Sequence, residues 1–210
     1  MLGAPHYSDD YRALLAREDI DVLSVSTPNA LHEQMIVDAL KAGKHLYIDK
    51  PLTVDGASAA RIEEAARKSL SLTQMAHNNR FFPSVLRAKR LIDEGRVGNL
   101  LSFSVRYDHS GSIDAAKPAG WKMQENAGVL LDLGSHALDM VAFLIGYPAR
   151  ALCRLRTLYP ERPAPGGGIV KKPADDQAVM LLEMPNGAVG TASASKITTG
   201  AEDELSFEIY

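Results

Sequence analysis

The sequence predicts a mixed architecture, in which a parallel α/β sheet is followed by an α+β part with a mostly antiparallel open sheet. Residues 1–80 alternate between apolar runs of strand length and helical patterns. Such alternation implies right-handed crossovers and a parallel, doubly wound sheet. From Asn99 onward, alternating strand patterns follow one another with few helices between them. We therefore predict a first domain at 1–80 and a second at 81–210.

In the first half of the chain, the apolar runs and the residues that end them define each element. Ser8 is the predicted N-cap of a short helix through Ala16, because its hydroxyl can accept from an amide of the first turn. Gly43 and Gly95 each follow a helical pattern, where a left-handed residue commonly ends a helix. Strands are predicted at 21–27, 44–49 and 72–78, and further helices at 30–42, 55–68 and 83–94.

The second half predicts a sheet and one long helix. Pro185-Asn186-Gly187 predicts a hairpin turn between the strands on either side of it. Residues 160–173 hold four prolines and three consecutive glycines, which is the composition of a loop. The helix is predicted at 128–145, and strands are predicted at 99–109, 149–159, 176–184, 188–197 and 204–210.

Composition narrows the class of protein. With 210 residues, 46% of them hydrophobic, the chain can bury a sizeable core. A net charge of -3 provides no basic surplus for nucleic acid or anionic membranes, so the expected partner is a small molecule or another subunit. Cys153 is the single cysteine, which excludes an internal disulfide and favours a reducing, cytoplasmic setting. No apolar run predicts a signal peptide or a membrane span.

The first candidate site is Thr27-Pro28-Asn29 with His32, at the predicted carboxyl end of a parallel strand. Doubly wound sheets bind their ligands at this edge. Backbone and small polar donors at this place suit a dinucleotide. The alternative interpretation is an ordinary strand-to-helix turn with Asn29 as a cap.

The second candidate site is Asp49-Lys50-Pro51, which follows the next predicted strand. A ligand in the crevice at this edge could meet the Lys50 ammonium, and a desolvated lysine suits proton transfer. The alternative is a surface lysine, with Pro51 merely ending the strand.

The third candidate site is formed by Asp132, His136 and Asp139 on the predicted helix. At about 100° per residue, the three lie within roughly 60° of one another on one face. A carboxylate bonded to an imidazole fixes its tautomer and raises its basicity, which suits a general base. The alternative is a solvent-facing stripe, although such stripes usually carry lysine and glutamate. No fourth ligand or dedicated spacing supports a metal site, so we expect none.

A looser set consists of Arg80, in HNNRFF, and Trp121-Lys122. Each could line a site for a hydroxylated ligand through hydrogen bonds or stacking. A lone tryptophan is more often part of a core.

Four segments, taken in order, resemble successive signatures of the Gfo/Idh/MocA family, the glucose-fructose oxidoreductase and inositol dehydrogenase family. The match covers most of the chain. Its most specific elements are the strand-end Lys50-Pro51 and the Asp-x-x-x-His motif from Asp132 to His136. The four segments are STPNALHEQMIVDALKAGKHLYIDKPL, NNRFFPSVLRAKRLIDEGRVGNL, GWKMQENAGVLLDLGSHALDM and DDQAVMLLEMPNGAVGTASASK.

The resemblance implies an N-terminal Rossmann domain that binds NAD or NADP. It also implies a C-terminal domain whose open sheet supports the substrate site and the contacts of a homo-oligomer. The implied reaction is hydride exchange between the nicotinamide and a hydroxyl-bearing carbon of a sugar, polyol or similar substrate. The residues assigned to the cofactor are Thr27, Pro28, Asn29, His32, Asp49 and Lys50.

Within the family pattern, Lys50 matches the active-site lysine, His136 the proton-transferring histidine and Asp132 the aspartate beside it. His136 would take the hydroxyl proton during oxidation, Asp132 would orient it, and Lys50 would polarise or protonate the same oxygen. We therefore expect the three side chains around one cleft, with Arg80, Trp121 and Lys122 on the substrate side. Pro51 matches a proline that often follows a cis peptide bond in the family.

The sequence departs from the family pattern in three places. Asp49 stands where the family usually has glutamate, and Asn126-Ala127-Gly128 replaces a glycine-rich run. The opening strand, its GxGxxG turn and the acidic residue about twenty positions later have no counterpart in the sequence. We therefore expect a fragment that lacks parts at both ends, binds NAD(H) or NADP(H) poorly by itself and tends to aggregate.

The resulting prediction is an oxidoreductase fragment. A rival hypothesis is a non-catalytic dimerising or regulatory remnant that has lost cofactor binding. A second rival, an NAD-dependent glycosidase related to the family, fits the motif from Asp132 to His136 less well.

Overall fold

The computed structural model describes residues 6–123 and 126–210. The chain divides into two compact units, Met1–Ala76 and His77–Tyr210, each with its own sheet and core. The sequence places the boundary after residue 80. The structure assigns residues 77–80 to the second unit because His77 and Arg80 both contact Asp139 there.

The first unit alternates strands and helices. The strands are β1 (Val22–Val25), β2 (His45–Ile48) and β3 (Thr73–Met75), and the helices are α1 (Tyr11–Leu15), α2 (His32–Lys41) and α3 (Gly56–Lys68). All three strands are parallel, in the order β1-β2-β3. A short 3-10 turn, Asn29–Leu31, leads into α2. Parallel neighbours joined by helices confirm the predicted Rossmann-type α/β arrangement.

Aspartate side chains cap two of these helices. Asp55 accepts a hydrogen bond from the Ser58 amide at 2.7 Å, at the start of α3. Asp10 accepts one from the Arg12 amide at 3.0 Å, at the start of α1. The prediction that Ser8 caps this helix is wrong, because the charged Asp10 carboxylate is the stronger acceptor. The Ser8 hydroxyl accepts from the Asp10 amide instead, at 3.1 Å.

The second unit is built on a mixed sheet. Its helices are α4 (Pro83–Asp93) and α5 (Ser135–Ile145), and its strands are β4 (Ser102–Asp108), β5 (Arg150–Arg156), β6 (Glu161–Pro163), β7 (Ile169–Lys171), β8 (Gln177–Glu183), β9 (Val189–Ser195) and β10 (Glu204–Ile209). Five strands form one sheet in the order β10-β4-β9-β8-β5, in which β4 and β9 are parallel and the other neighbours antiparallel. Gly187, at φ 84°, lies in the turn of the β8-β9 hairpin. The predicted mostly antiparallel sheet and its hairpin are confirmed.

The two faces of this sheet have different surroundings. One face packs with α5 around a core that includes Phe103, Met180, Leu182 and Met140. Alternate residues of a strand point to opposite faces, so the other face carries side chains that are exposed. On that face, Leu152 pairs with Leu181 across β5 and β8, at 71% and 49% exposure. This face of the sheet is therefore exposed.

Residues 160–173 form a short antiparallel hairpin of β6 and β7, so the prediction of a plain loop is wrong. The consecutive glycines supply its turn, since Gly167 and Gly168 have φ of 95° and 80°. Arg162 on β6 is fully buried, and its guanidinium donates to the carbonyl oxygens of Ser112 and Asp114. These bonds attach the hairpin to the segment that follows β4.

The helices of the described residues are short. The longest α-helix, α3, has 13 residues, and none of them is both long and apolar enough to cross a membrane.

Candidate active site

The segment after β1 carries the first group of predicted cofactor residues. Asn29 is buried in the 3-10 turn, and the half-buried Thr27 directs its hydroxyl at the sulfur of Met35, 3.3 Å away. Pro28 is exposed between them. The group follows the carboxyl end of β1, the edge at which parallel sheets bind ligands. Cofactor binding by Thr27, Pro28 and Asn29 stays a prediction.

His32 is buried, at 1% exposure, and joins two strand-end segments of the first unit. Its Nε2 lies 2.8 Å from the carbonyl oxygen of Thr27, and its Nδ1 lies 3.0 Å from that of Pro51. Because both ring nitrogens face main-chain acceptors, the imidazole holds the segments after β1 and β2 together. The structure gives His32 this positioning role, and its predicted contact with the cofactor stays a prediction.

Asp49, Lys50 and Pro51 follow β2 directly. The Asp49 amide donates to the carbonyl oxygen of Val25 at 2.8 Å, which ties this segment to β1. The Asp49 carboxylate accepts from the Lys50 amide at 2.8 Å. The Lys50–Pro51 peptide bond is cis, as the resemblance implies. Lys50 itself is half-buried, and its catalytic and cofactor roles stay predictions.

The segment that carries Asp132 and His136 is not a regular α-helix throughout. Leu130–Gly134 form a π-helical turn, and α5 begins at Ser135. The uniform spacing of about 100° per residue predicted for this stripe is therefore wrong at Asp132, because π-helical bonds join residues five apart.

The predicted polar stripe is largely enclosed in the second unit, where His136 and Asp139 are buried and Asp132 is half-buried. The side chain of Asp132 is 11% exposed, and His136 and Asp139 are 7% and 9% exposed. This burial excludes the alternative of a solvent-facing stripe. Buried charges are costly unless they are paired, and both carboxylates have cationic partners.

Asp132 is paired with two lysines. Lys122 Nζ lies 3.1 Å from each carboxylate oxygen, and Lys196 Nζ lies 2.9 Å from Oδ2. Lys122 comes from the 3-10 turn Trp121–Met123 and is a predicted site residue. Lys196, directly after β9, is one that sequence reasoning missed. No spacing pattern along the chain relates the end of β9 to Asp132, so only the fold brings them together.

Asp139 is paired with Arg80 and His77. The Arg80 guanidinium donates through Nε at 2.9 Å to Oδ2 and through Nη2 to Oδ1, and His77 Nε2 lies 3.6 Å from Oδ1. Asp139 holds the pKa of Arg80 above its usual value. The structure therefore gives Arg80 the task of neutralising a buried carboxylate. Its predicted contact with the substrate stays a prediction.

Aromatic rings surround His136. The ring centroid of His77 lies 6.0 Å away in an edge-on arrangement, and that of Tyr107 lies 5.7 Å away at a tilt of 57°. Burial, together with the nearby Asp203 carboxylate, raises the pKa of Tyr107 to about 12. Tyr107 therefore stays protonated at neutral pH and adds no negative charge beside His136.

A cavity of about 370 Å³ lies in the second unit beside Asp132. This volume is in the range of small-molecule sites. Burial lowers the pKa of His109 in its wall, and the positive charge of Lys196 lowers it further. The imidazole is therefore neutral at pH 7. The charged residues of the wall are Lys117, Lys122, Lys172, Lys196, Asp132, Asp175 and Asp176.

The departure from the family's glycine-rich run is accommodated locally. Asn126 adopts φ of 59°, a left-handed conformation that asparagine tolerates better than most residues. At Gly128, a Cβ atom would lie 1.8 Å from Oδ1 of Asp175, so the close approach requires glycine. Asp175 in turn accepts from the Leu130 amide at 2.8 Å. Sequence reasoning missed Asp175, which fixes the start of the segment carrying Asp132.

Two predictions remain, one on Trp121 and one on metal binding. The side chain of Trp121 lies outside the described part of the structure, so its substrate contact stays a prediction. Within residues 6–123 and 126–210, no group of three or more His, Cys, Asp and Glu side chains is placed to hold a metal ion.

Comparison with known proteins identifies the family to which the two units are similar. Residues 1–77 match a family model described as an oxidoreductase family with an NAD-binding Rossmann fold, and residues 85–210 match the GFO/IDH/MocA C-terminal domain. Levoglucosan dehydrogenase of Pseudarthrobacter phenanthrenivorans is 32% identical over 99% of this chain and 57% of its own length. The NAD(+)-dependent scyllo-inositol 2-dehydrogenase of Bacillus subtilis is 26% identical over 96% of this chain and 56% of its own.

A solved structure gives the same picture. Levoglucosan dehydrogenase in complex with NADH and levoglucosan superposes with a TM-score of 0.92 and 33% identity, over 97% of this chain and 55% of that one. The chain thus spans just over half the length of these two relatives. Both parts of the chain match models of one family, in the order that the resemblance implies. The chain belongs to the Gfo/Idh/MocA oxidoreductase family.

Proposed function

We propose that the whole protein is an NAD- or NADP-dependent dehydrogenase that exchanges a hydride with a hydroxyl-bearing carbon of a sugar or polyol. The observation that carries the proposal is the buried His136, which follows Asp132 in the family motif and lies in the same unit as a cavity of small-molecule size. Relatives of this chain include dehydrogenases of levoglucosan and scyllo-inositol.

In the proposed reaction, His136 accepts the hydroxyl proton as the alcohol is oxidised. Asp132 orients this histidine and the substrate, while Lys50 polarises the same oxygen. When bound, the nicotinamide accepts the hydride. Lys122 lines the cavity and pairs with Asp132, and in this proposal it donates a hydrogen bond to a substrate hydroxyl. A neutral or cationic donor beside a developing carbonyl oxygen stabilises it, and a nearby base removes the proton.

For the cofactor, we propose that the segments after β1 and β2 contact the nicotinamide half. They lie at the carboxyl edge of a parallel sheet, and His32 fixes them relative to each other through the carbonyl groups of Thr27 and Pro51. Thr27, Asn29 and Lys50 are the contacting residues in this proposal.

For partners, we propose a homo-oligomer formed through the open face of the five-stranded sheet. Leu152, Val179, Leu181 and Val189 are all at least 45% exposed on this face. Apolar side chains on an uncovered face favour burial against a second copy. We also propose a cytoplasmic location, in keeping with the single cysteine. The net charge of -3 supports the proposal that nucleic acid is not a partner.

Enzyme kinetics test the proposal directly. The full-length protein that contains this chain is assayed with NAD and NADP against a panel of neutral sugars and polyols that includes levoglucosan and inositols, with absorbance of the reduced nicotinamide as readout. We expect turnover of at least one compound, and a loss of at least about a hundredfold in turnover in Lys50→Ala. Lys171→Met, on the exposed strand β7, is the control with wild-type turnover. No turnover with any compound, or an unaffected Lys50→Ala, would contradict the proposal.

A further inference from the structure

We propose that Lys196 is a positioning residue for the reaction, which holds the Asp132 carboxylate at the cavity as an acceptor for a substrate hydroxyl. The inference rests on the proposed function and adds a residue to its site. Lys196 lies directly after β9, and its Nζ lies 2.9 Å from Asp132 Oδ2.

Burial distinguishes Lys196 from an ordinary surface lysine. Its side chain is only 9% exposed, and that of Asp132 is 11% exposed. Removing an ammonium from water is unfavourable unless a partner compensates for the lost hydration. Asp132 is that partner, so the position of each group depends on the other.

The main chain of Lys196 is fixed on both sides. Its amide donates to the carbonyl oxygen of Asp176, and its own carbonyl oxygen accepts from the Ser112 amide, both at 2.8 Å. A backbone held in this way limits the positions that Nζ can reach. The position of Lys196 at the end of β9 therefore helps to keep its ammonium near Oδ2 of Asp132.

The second partner of Asp132 is held less firmly. The Lys122 side chain is 51% exposed, and exposed ion pairs contribute little because solvent screens them. The more enclosed Lys196 therefore restrains Asp132 more firmly than the exposed Lys122 does.

The pair defines what the carboxylate can do. An ammonium at hydrogen-bond distance favours the ionised form, which accepts hydrogen bonds and donates none. Asp132 also lines the cavity. A fixed acceptor at that wall selects a ligand with a hydroxyl donor and orients it relative to His136, which lies four positions further along the same segment.

The test compares Lys196→Met with Lys196→Arg in the full-length protein that contains this chain, with Lys171→Met as the exposed control. We expect Lys196→Met to lower kcat/KM for the sugar at least about tenfold, because misplacement of a positioning group is costly. The KM for the dinucleotide should not change, and Lys196→Arg should recover part of the loss. A role in folding alone would affect both substrates and the melting temperature together.

A double-mutant cycle identifies the route of the effect. In an Asp132→Asn background, Lys196→Met should cost much less than in the wild type, because the interaction has already been removed. An equal cost in both backgrounds overturns the inference. If the melting temperature of Lys196→Met is far below that of the wild type, the same kinetic measurements and the same double-mutant cycle are made with Lys196→Gln. Glutamine keeps a hydrogen-bond donor at this position but removes the charge. An active wild type with an unaffected Lys196→Met overturns the inference alone, whereas an inactive wild type overturns the proposed function and the inference together.

Discussion

Two carboxylates flank His136 on one segment, and they have different surroundings. Asp132 belongs to the π-helical turn, contacts Lys122 and Lys196, and lines the cavity. Asp139 belongs to α5, and its partners Arg80 and His77 come from the start of the second unit. Both are paired, but Asp139 is buried whereas Asp132 is half-buried and is the one of the two that lines the cavity. We infer that these two identical residues have different tasks, Asp132 in the proposed site and Asp139 in the support of its helix.

The largest effect is expected at the histidine between them. We expect His136→Asn to lower turnover at least about a hundredfold, because asparagine keeps the polarity of the side chain but cannot exchange the proton. Dinucleotide binding should stay largely unchanged, since the proposed cofactor contacts lie in the first unit. Pre-steady-state and steady-state kinetics with calorimetric titration of NAD(H) and NADP(H) separate the two quantities. Near-wild-type turnover would remove His136 from the mechanism.

The next effect concerns stability and Asp139. Asp139→Asn removes the charge that neutralises Arg80, so we expect the free energy of unfolding to fall by about 2 kcal/mol, the range for hydrogen bonds to charged groups. Denaturant unfolding of the full-length protein that contains this chain measures this quantity. Asp93→Asn is the matched control, because its pair with Lys89 is on an exposed face of α4 and should contribute less than about 0.5 kcal/mol. Equal losses in the two variants would contradict the supporting role of Asp139.

Asp132 and Asp139 should differ most clearly in the effect of their substitution on kcat/KM. We expect Asp132→Asn to lower kcat/KM for the sugar about tenfold and more than Asp139→Asn does, because only Asp132 borders the cavity. Both variants are assayed at a temperature at which each is fully folded. If Asp139→Asn were the slower enzyme, the assignment of the two tasks would be reversed.

The smallest expected effect is a pH dependence of the unfolding free energy that comes from His109, which lines the same cavity as Asp132. Burial lowers the pKa of His109, so the unfolded chain binds the proton more tightly than the folded chain. His109 therefore contributes full stability above the unfolded value of about 6.5, and this contribution is lost as the pH falls below it. In His109→Gln, the unfolding free energy should fall less between about pH 6.5 and pH 5 than in the wild type. The exposed His6→Gln serves as the control, and identical pH profiles for wild type and His109→Gln would contradict the prediction.

Much of the fold is predictable from the sequence because local signals and packing agree. The spacing of apolar runs predicts β1, β2 and β3, and the turn at Asn186-Gly187 predicts the hairpin of β8 and β9. The hairpin of β6 and β7 is not predictable in this way. Its composition is that of a loop, and its attachment depends on the contact between Arg162 and a distant segment.

The candidate site is predictable only in part, for a similar reason. The motif from Asp132 to His136 is local, so the sequence identifies it. The π-helical turn that sets the direction of Asp132 has no signal in the spacing of apolar residues. Lys196 and Asp175 come from other parts of the chain and reach the site through the sheet. Partners of this kind become visible only when the strands are placed side by side.

The most direct test of the account is a crystal structure of the full-length protein with NAD(H) and a sugar that it turns over. The account predicts that His136 and Lys50 each lie within about 3 Å of the same substrate oxygen, because proton transfer requires hydrogen-bonding reach. Asp132 should accept a hydrogen bond from a neighbouring hydroxyl. Side-chain ends of Lys50 and His136 more than about 10 Å apart in that complex would contradict a shared site and the proposed mechanism with it.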